Sequence, residues 1–238
     1  MLFDPWDYQW HGLLGHDGHD GAPLGREYVI DDSGEASLAF GTNLHASMVS
    51  HAAYSSTPPP TMVGSPGGLQ IDLVWDPSVA HAPKGFRQAV IAAARYYTTT
   101  FSDDEVIKID VGYGEVHGAH LGRGALGESE SNGYMVSYAT VTAAMQSDGY
   151  PPSLAGNEPT SGQFFVSSGG AKALGLISGH TAGVDGYIGL SSALPLSYAL
   201  SGPGSGSRQY DAVAIAEHEI GEVMGRIGME GAVVNGTH

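Results

Sequence analysis

The sequence predicts an α/β (or α+β) fold: a mixed sheet of about four or five strands, a long backing helix, and a second amphipathic helix around residue 220. Three observations carry this. Residues 69–75 (LQIDLVW) and 105–111 (EVIKIDV) alternate apolar and polar side chains, the period of a strand with one buried face. Between them Phe86, Val90, Ala93, Ala94, Tyr97 and Phe101 recur at the spacing of one helical face. Residues 210–228 (YDAVAIAEHEIGEVMGRIG) line up Val213, Ala216, Ile220, Val223, Met224 and Ile227 as a second helical stripe.

In chain order, residues 1–67 read as an irregular extension rich in Gly, Pro and His, and residues 68–238 as the folded domain. The stretch 55–68 (SSTPPPTMVGSPGG) reads as a linker, because successive prolines hold the backbone extended. Leu69, Ile71, Leu73 and Trp75 share a face of the first strand, which Asp76-Pro77 ends. Pro83 suits the first turn of a helix over 84–100. Residues 125–131 and 133–137 read as short strands flanking a turn, 138–146 as a helix, 163–166 as a strand and 171–176 as a short helix. Residues 184–191 (VDGYIGLS) form a strand in which Gly186 and Gly189 point to a bulge or a close backbone approach. A Ser/Gly-rich loop at 201–207 precedes the last helix, and no internal repeat is evident.

Composition excludes several function classes. Formal net charge is -16, with nine Lys and Arg against 25 Asp and Glu, so the surface repels nucleic acid and anionic membranes. There is no cysteine, which rules out disulfides, thiolate zinc sites and cysteine nucleophiles. Any transition-metal site must use His and carboxylate. No apolar run approaches the roughly 20 residues of a membrane span. The N-terminus lacks the basic start and apolar stretch of a secretory signal peptide.

The chemistry-bearing segment is the last helix. Opposite its apolar stripe lie Asp211, Ala214, His218, Gly221, Glu222 and Gly225. His218 and Glu222 are four residues apart, one turn above the other, within joint reach of one ion. Imidazole and carboxylate are both zinc ligands, and catalytic zinc commonly takes three protein ligands and a water. Glu219 sits about 100° around the helix, beside that face. There its carboxylate can take a proton from a metal-bound water, the role of the Glu in HExxH peptidases. A water-facing helix would also place His and Glu opposite its apolar stripe. Against that stands the padding of this face with Ala214, Gly221 and Gly225. Glycine costs about 1 kcal/mol in a helix interior, so a close neighbour is expected there.

HEIGEVMGRIG resembles the active-site helix of metzincin-type zinc peptidases, whose motif is HExxHxxGxxH; His218, Glu219 and Gly225 match its first three landmarks. The order strand, long helix, strands, active-site helix is similar too. Residues 69–229 more closely resemble a bacterial family of exported, metzincin-like metallopeptidases. That family carries a helix reading HEISEVMGR and stretches like GALGESES and VDGYIGLSS, here at 124–131 and 184–192. The resemblance covers about two thirds of the chain. It implies a metzincin-like mixed sheet, zinc as cofactor, a protein or peptide substrate, and a secreted or cell-surface location in a bacterium. It also implies Glu219 as the catalytic base, with His218 and Glu222 as metal ligands. Two positions depart from the motif: Glu222 stands where the second His would be and Gly228 where the third would be. The chain ends at His238, where the resemblance implies a further subdomain, so a C-terminal truncation is expected.

Other residues invite weaker readings. His16, Asp17, Gly18, His19, Asp20 and Gly21 repeat a His-Asp-Gly unit, which reads as a polar tail sooner than a metal tract. His117, His120 and His180 are candidates for the missing ligand. Glu128 and Glu130 share a strand face as a glycosidase pair would, but nothing else supports a sugar site. Residues 31–35 (DDSGE) lack the full spacing of a calcium loop. No G-x-S-x-G elbow is followed by the required helix, so serine hydrolase chemistry is not expected. Two main functions therefore stand, a zinc-dependent endopeptidase or a non-catalytic exported binding module that keeps the fold with an incomplete metal site, with a calcium-stabilised scaffold as a third.

Overall fold

The computed structural model describes residues 27–31, 36–38, 57–159, 161–204 and 207–226 of the 238-residue chain. The strands are β1 (Glu27–Asp31), β2 (Ala36–Leu38), β3 (Thr61–Gly64), β4 (Gln70–Trp75), β5 (Val106–Tyr113), β6 (Glu115–Val116), β7 (Ala119–His120), β8 (Gly127–Ser137), β9 (Gln163–Ser167), β10 (Gly186–Leu190), β11 (Leu196–Ser197) and β12 (Tyr210–Asp211). The helices are α1 (Phe86–Thr100), α2 (Tyr138–Ser147), α3 (Ser168–Ala173) and α4 (Ala212–Val223). The His-Asp-Gly repeat at 16–21, most of the DDSGE segment, Ile227 and Gly228 lie outside the described residues.

The mixed α/β architecture expected from the periodicities is present. One sheet of eight strands runs β2-β1-β8-β10-β5-β4-β3, with β9 also paired to β8. β4, β5 and β10 are parallel; the other pairings in this sheet are antiparallel. The helix α1 makes the crossover that a parallel β4–β5 pair requires. Four or five strands were expected. The additional ones include β1, β2 and β3, all inside the segment read as irregular. The prolines at 58–60 are followed at once by four residues that pair with β4, Thr61 opposite Leu73 and Gly64 opposite Gln70. Proline stiffens the approach to that edge strand without preventing it.

The alternation read from the sequence is the alternation buried. Ile71, Leu73 and Trp75 on β4, Ile107, Ile109 and Val111 on β5, and Ile188 and Leu190 on β10 form one core with α1 and α4. Alanines supply much of the helical side, Ala89, Ala93 and Ala94 on α1 and Ala212 and Ala216 on α4. Both helices therefore lie on the same side of the sheet and pack against each other. Each fully buried branched side chain contributes about 1.5–3 kcal/mol relative to exposure.

β8 corrects the reading of 125–137 as two strands around a turn. It is one strand of eleven residues. Asn132-Gly133 reads as a turn but serves another purpose. Along one edge of β8 the partner changes from β10, opposite 127–131, to β9, opposite 133–137. Asn132 fills the junction: its N–H donates to the Asp185 carbonyl (3.0 Å) and its Nδ2 to the Val184 carbonyl (2.7 Å). Gly133 is crowded by the Val166 carbonyl and the Phe165 ring, which leave no room for a β-carbon. The short helix begins at Ser168, earlier than expected, because Ser167 Oγ caps it by accepting the Gly170 N–H (3.0 Å). The close approach expected at Gly186 is real: a β-carbon there would stand 2.7 Å from both methyls of Val223.

A buried polar cluster ties β5, α3 and the entry to β10 together. Lys172 Nζ donates to Asp185 Oδ2 (2.6 Å) and to the Val106 carbonyl (2.7 Å), and the Lys108 N–H donates to the same Oδ2 (2.7 Å). Glu105 lies beside this pair, 5% exposed, with Oε2 buried and without a hydrogen-bond partner. Burial pushes its carboxyl up to about 8 from the ordinary 4.5; Asp103 and Asp185 add to the rise and Lys172 opposes it. The folded chain therefore holds this proton more tightly than the unfolded chain. The resulting stability is fully present below pH 4.5 and is lost as pH rises through about 8. Glu105→Gln is expected to raise the melting temperature at pH 8.5 to 9 and to leave it unchanged near pH 4, as read by thermal unfolding across that range.

Candidate metal centre

Asp211 starts α4. Its Oδ1 accepts the N–H groups of Val213 (2.9 Å) and Ala214 (3.4 Å), the N-cap arrangement. The C-terminus is a Schellman motif: the Arg226 N–H donates to the Gly221 carbonyl (2.9 Å) and the Gly225 N–H to the Glu222 carbonyl (2.8 Å). Gly225 adopts φ +111°, a conformation that side chains oppose. The helix expected over 210–228 therefore stops at Val223, and Gly225 is the residue that stops it.

His218 and Glu222 meet as the spacing requires. His218 Nε2 lies 3.0 Å from Glu222 Oε1, with the His side chain 57% and the Glu side chain 17% exposed. Glu222 is the anchored partner. Its Oε2 accepts the Ser129 hydroxyl at 2.6 Å, and its backbone carbonyl accepts the Ser131 hydroxyl at 3.3 Å. The His218 carbonyl accepts from Arg226 Nη2 (3.0 Å), which places a cation at the helix C-terminus where it is favourable. The close neighbour expected at Gly221 is Tyr97 of α1. Its hydroxyl donates to the Glu217 carbonyl (2.5 Å) and would stand 2.7 Å from a β-carbon at 221. Burial pushes that hydroxyl up to about 12, so it remains a donor throughout the ordinary pH range.

Glu219 is placed differently from its two neighbours. It is 5% exposed and points into the contact between α4 and β8. Room for it comes from Gly127, where a β-carbon would stand 2.5 Å from Glu219 Oε1 and 2.8 Å from Ile215 Cγ2. Positions 127, 129 and 131 of β8 thus face α4 and are Gly, Ser and Ser. These serines are what reading the sequence missed. The available signal was the run of small residues at alternate positions of GESES; the glutamates between them drew attention instead.

Those glutamates point to the other side of the sheet. Glu130 Oε2 meets His117 Nδ1 at 2.9 Å, and the His117 ring stacks on Tyr187, centroids 3.8 Å apart. Glu128 Oε1 accepts the Gly122 N–H (2.5 Å). They share a face as expected but bind different partners. His117 and Gly118, at φ 49° and 80°, make the two-residue turn of the β6–β7 hairpin. The sheet separates His117 from His218. His180 pairs with Asp104 (3.4 Å), and His120 lies on the exposed strand β7. Among the described residues no group of three or more His, Asp or Glu converges on one point.

Fold and pair together define a mixed α/β domain that presents a His–Glu couple on a helix seated on its sheet. No protein-family model matches this chain, no curated protein matches it, and no solved structure matches it. The likeness to metzincin-type peptidases therefore rests on the residues quoted from the sequence. Among the described residues no helix is long and apolar enough to cross a membrane.

Gly127→Ala is expected to destabilise the protein by about 1–3 kcal/mol, the usual cost of overpacking, as measured by urea unfolding. Adding Glu219→Ala in the same chain should restore part of that loss, since the added methyl and the Glu219 carboxylate compete for one space.

Proposed function

We propose that this chain is a zinc-binding domain of metallopeptidase type, with His218 and Glu222 as metal donors and Glu219 as the carboxylate that handles the proton of water. The observation that carries the reading is the 3.0 Å approach of His218 Nε2 to Glu222 Oε1, one helical turn apart, with the second carboxylate oxygen tied down by Ser129. An imidazole nitrogen and a carboxylate oxygen so placed fit a shared zinc ion. Catalytic zinc commonly uses three protein donors, and the described residues supply two. Zinc, where fully held, acidifies a water and polarises the scissile carbonyl. The part of this chain's own residues is to grip the ion from one side and to hold a carboxylate at 219, one residue along the same helix.

A second reading has its own support. The Glu219 carboxylate is buried against β8, and the donor set is a pair. Both features suit a module that keeps a peptidase-like fold and binds metal or partner without hydrolysis.

Zinc titration of the purified chain separates the readings. Near-stoichiometric binding is expected, weakened about tenfold or more by His218→Ala and by Glu222→Ala; no binding by the unaltered chain at micromolar free zinc sinks the proposal. Glu219→Gln is expected to retain zinc and to lower cleavage of unstructured peptides by about 10²–10⁴, the range attributed to general acid–base catalysis. Zinc bound by the unaltered chain with no cleavage of any peptide supports the non-catalytic module.

A further inference from the structure

We propose that Ser129 is a positioning residue for the metal donor Glu222, dividing its carboxylate so that Oε2 is held by the sheet and Oε1 is presented beside His218. The inference rests on the zinc-binding reading above and deepens it.

The geometry is a line of three groups. Ser129 Oγ donates to Glu222 Oε2 at 2.6 Å, and Glu222 Oε1 lies 3.0 Å from His218 Nε2. Ser129 is 3% exposed, so water does not compete for its hydroxyl. A hydroxyl has one proton to give, and here it is given to the carboxylate. A hydrogen bond to a charged acceptor is about twice as strong as one between neutral groups. It therefore fixes the torsions of a long side chain that would otherwise sample many rotamers. Ser131, two residues along the same strand face, donates to the backbone carbonyl of the same glutamate at 3.3 Å. β8 thus holds residue 222 at both main chain and side chain.

Chemistry other than positioning does not suit this line. In a nucleophilic triad the imidazole stands between hydroxyl and carboxylate. Here the carboxylate stands between hydroxyl and imidazole, and the hydroxyl is buried. Ser129 acts through Glu222. Outer-sphere partners of metal ligands typically change metal affinity about 10–100-fold when removed.

The test is zinc affinity of the full chain, measured by competition with a chromophoric chelator, for Ser129→Ala, Ser129→Thr, Glu222→Gln and the double variant Ser129→Ala/Glu222→Gln. Ser129→Ala is expected to weaken zinc binding about 10–100-fold. Ser129→Thr, which keeps the hydroxyl, should restore most of that affinity. In the Glu222→Gln background the Ser129→Ala change should have little further effect, because the group it positions is gone. Should the alanine variant not fold, all the variants are compared again in trimethylamine N-oxide, an osmolyte that favours the folded state, and the same affinities are read. Zinc affinity unchanged in Ser129→Ala overturns this inference while leaving the zinc-binding reading intact. An equal loss with and without the Glu222 carboxylate overturns it too, by assigning Ser129 a general structural role. No zinc binding by the unaltered chain overturns the zinc-binding reading itself, and this inference with it.

Discussion

The structure around the candidate site depends on how closely α4 lies on β8. Three alternate residues of that strand face the helix, and all are small: Gly127, Ser129 and Ser131. A strand with valine or isoleucine at all three positions would hold the helix farther off and offer no hydroxyl to Glu222. Glu219 occupies the vacancy over Gly127, and Glu222 takes the hydroxyl of Ser129. The local twofold period of the strand thus meets the 3.6-residue period of the helix. Positions 219 and 222 are one turn apart on the helix, while 127 and 129 are two residues apart on the strand. Gly186 on β10 extends the same principle, since Val223 rests where a side chain would be.

The remainder of the fold makes that seat rigid. The parallel strands β4, β5 and β10 bury a continuous apolar surface against α1 and α4, and the alanine faces of the two helices let them approach. Tyr97 then locks α1 onto α4 through the Glu217 carbonyl. Where β5 and β10 begin, Lys172 joins α3 to the Val106 carbonyl of β5 and to Asp185, just ahead of β10. A buried ion pair of this kind adds little net stability, because desolvation offsets most of the attraction. Its satisfied hydrogen bonds do specify which loop meets which strand. The helix bearing His218 therefore rests on strands held at both ends.

What the sequence made legible follows from the range of the interactions. β4, α1 and β5 were readable because alternation and helical spacing are properties of neighbours in the chain. The meeting of His218 with Glu222 was readable for the same reason, since four residues along a helix fix it. Ser129 was not, because it lies 93 residues from the glutamate it holds. Nothing local says which side of a strand will face a helix folded later. Glu128 and Glu130 attracted a functional reading through their side chains, yet they belong to the opposite face of the sheet. Asn132-Gly133 looked like a turn because those residues favour turns, whereas here the amide bridges a change of strand partner. β3 was hidden by the prolines before it and the glycine at its end. His117, His120 and His180 are candidates for a third donor by residue type alone, and the fold places His117 with Glu130, His180 with Asp104 and His120 on exposed β7.

The magnitudes bear on whether the His218–Glu222 couple is an ornament of a solvated surface. An exposed ion pair at this helical spacing contributes about 0.3–0.5 kcal/mol. A side chain held only by that attraction stays largely in water, as His218 does at 57% exposure. Glu222 does not; its side chain is 17% exposed and accepts a hydrogen bond from a buried hydroxyl. Drawing a carboxylate this far out of water costs solvation that a bond of about 1.5–3 kcal/mol offsets in part or in full. Stability alone is nearly indifferent to such an exchange, and a glutamine at 222 would accept the Ser129 hydroxyl as well. What the exchange does secure is orientation: one oxygen committed to the sheet, the other fixed beside an imidazole that remains open to solvent. A fixed oxygen donor next to an accessible nitrogen donor supplies two of the three protein donors that the proposed zinc site would use.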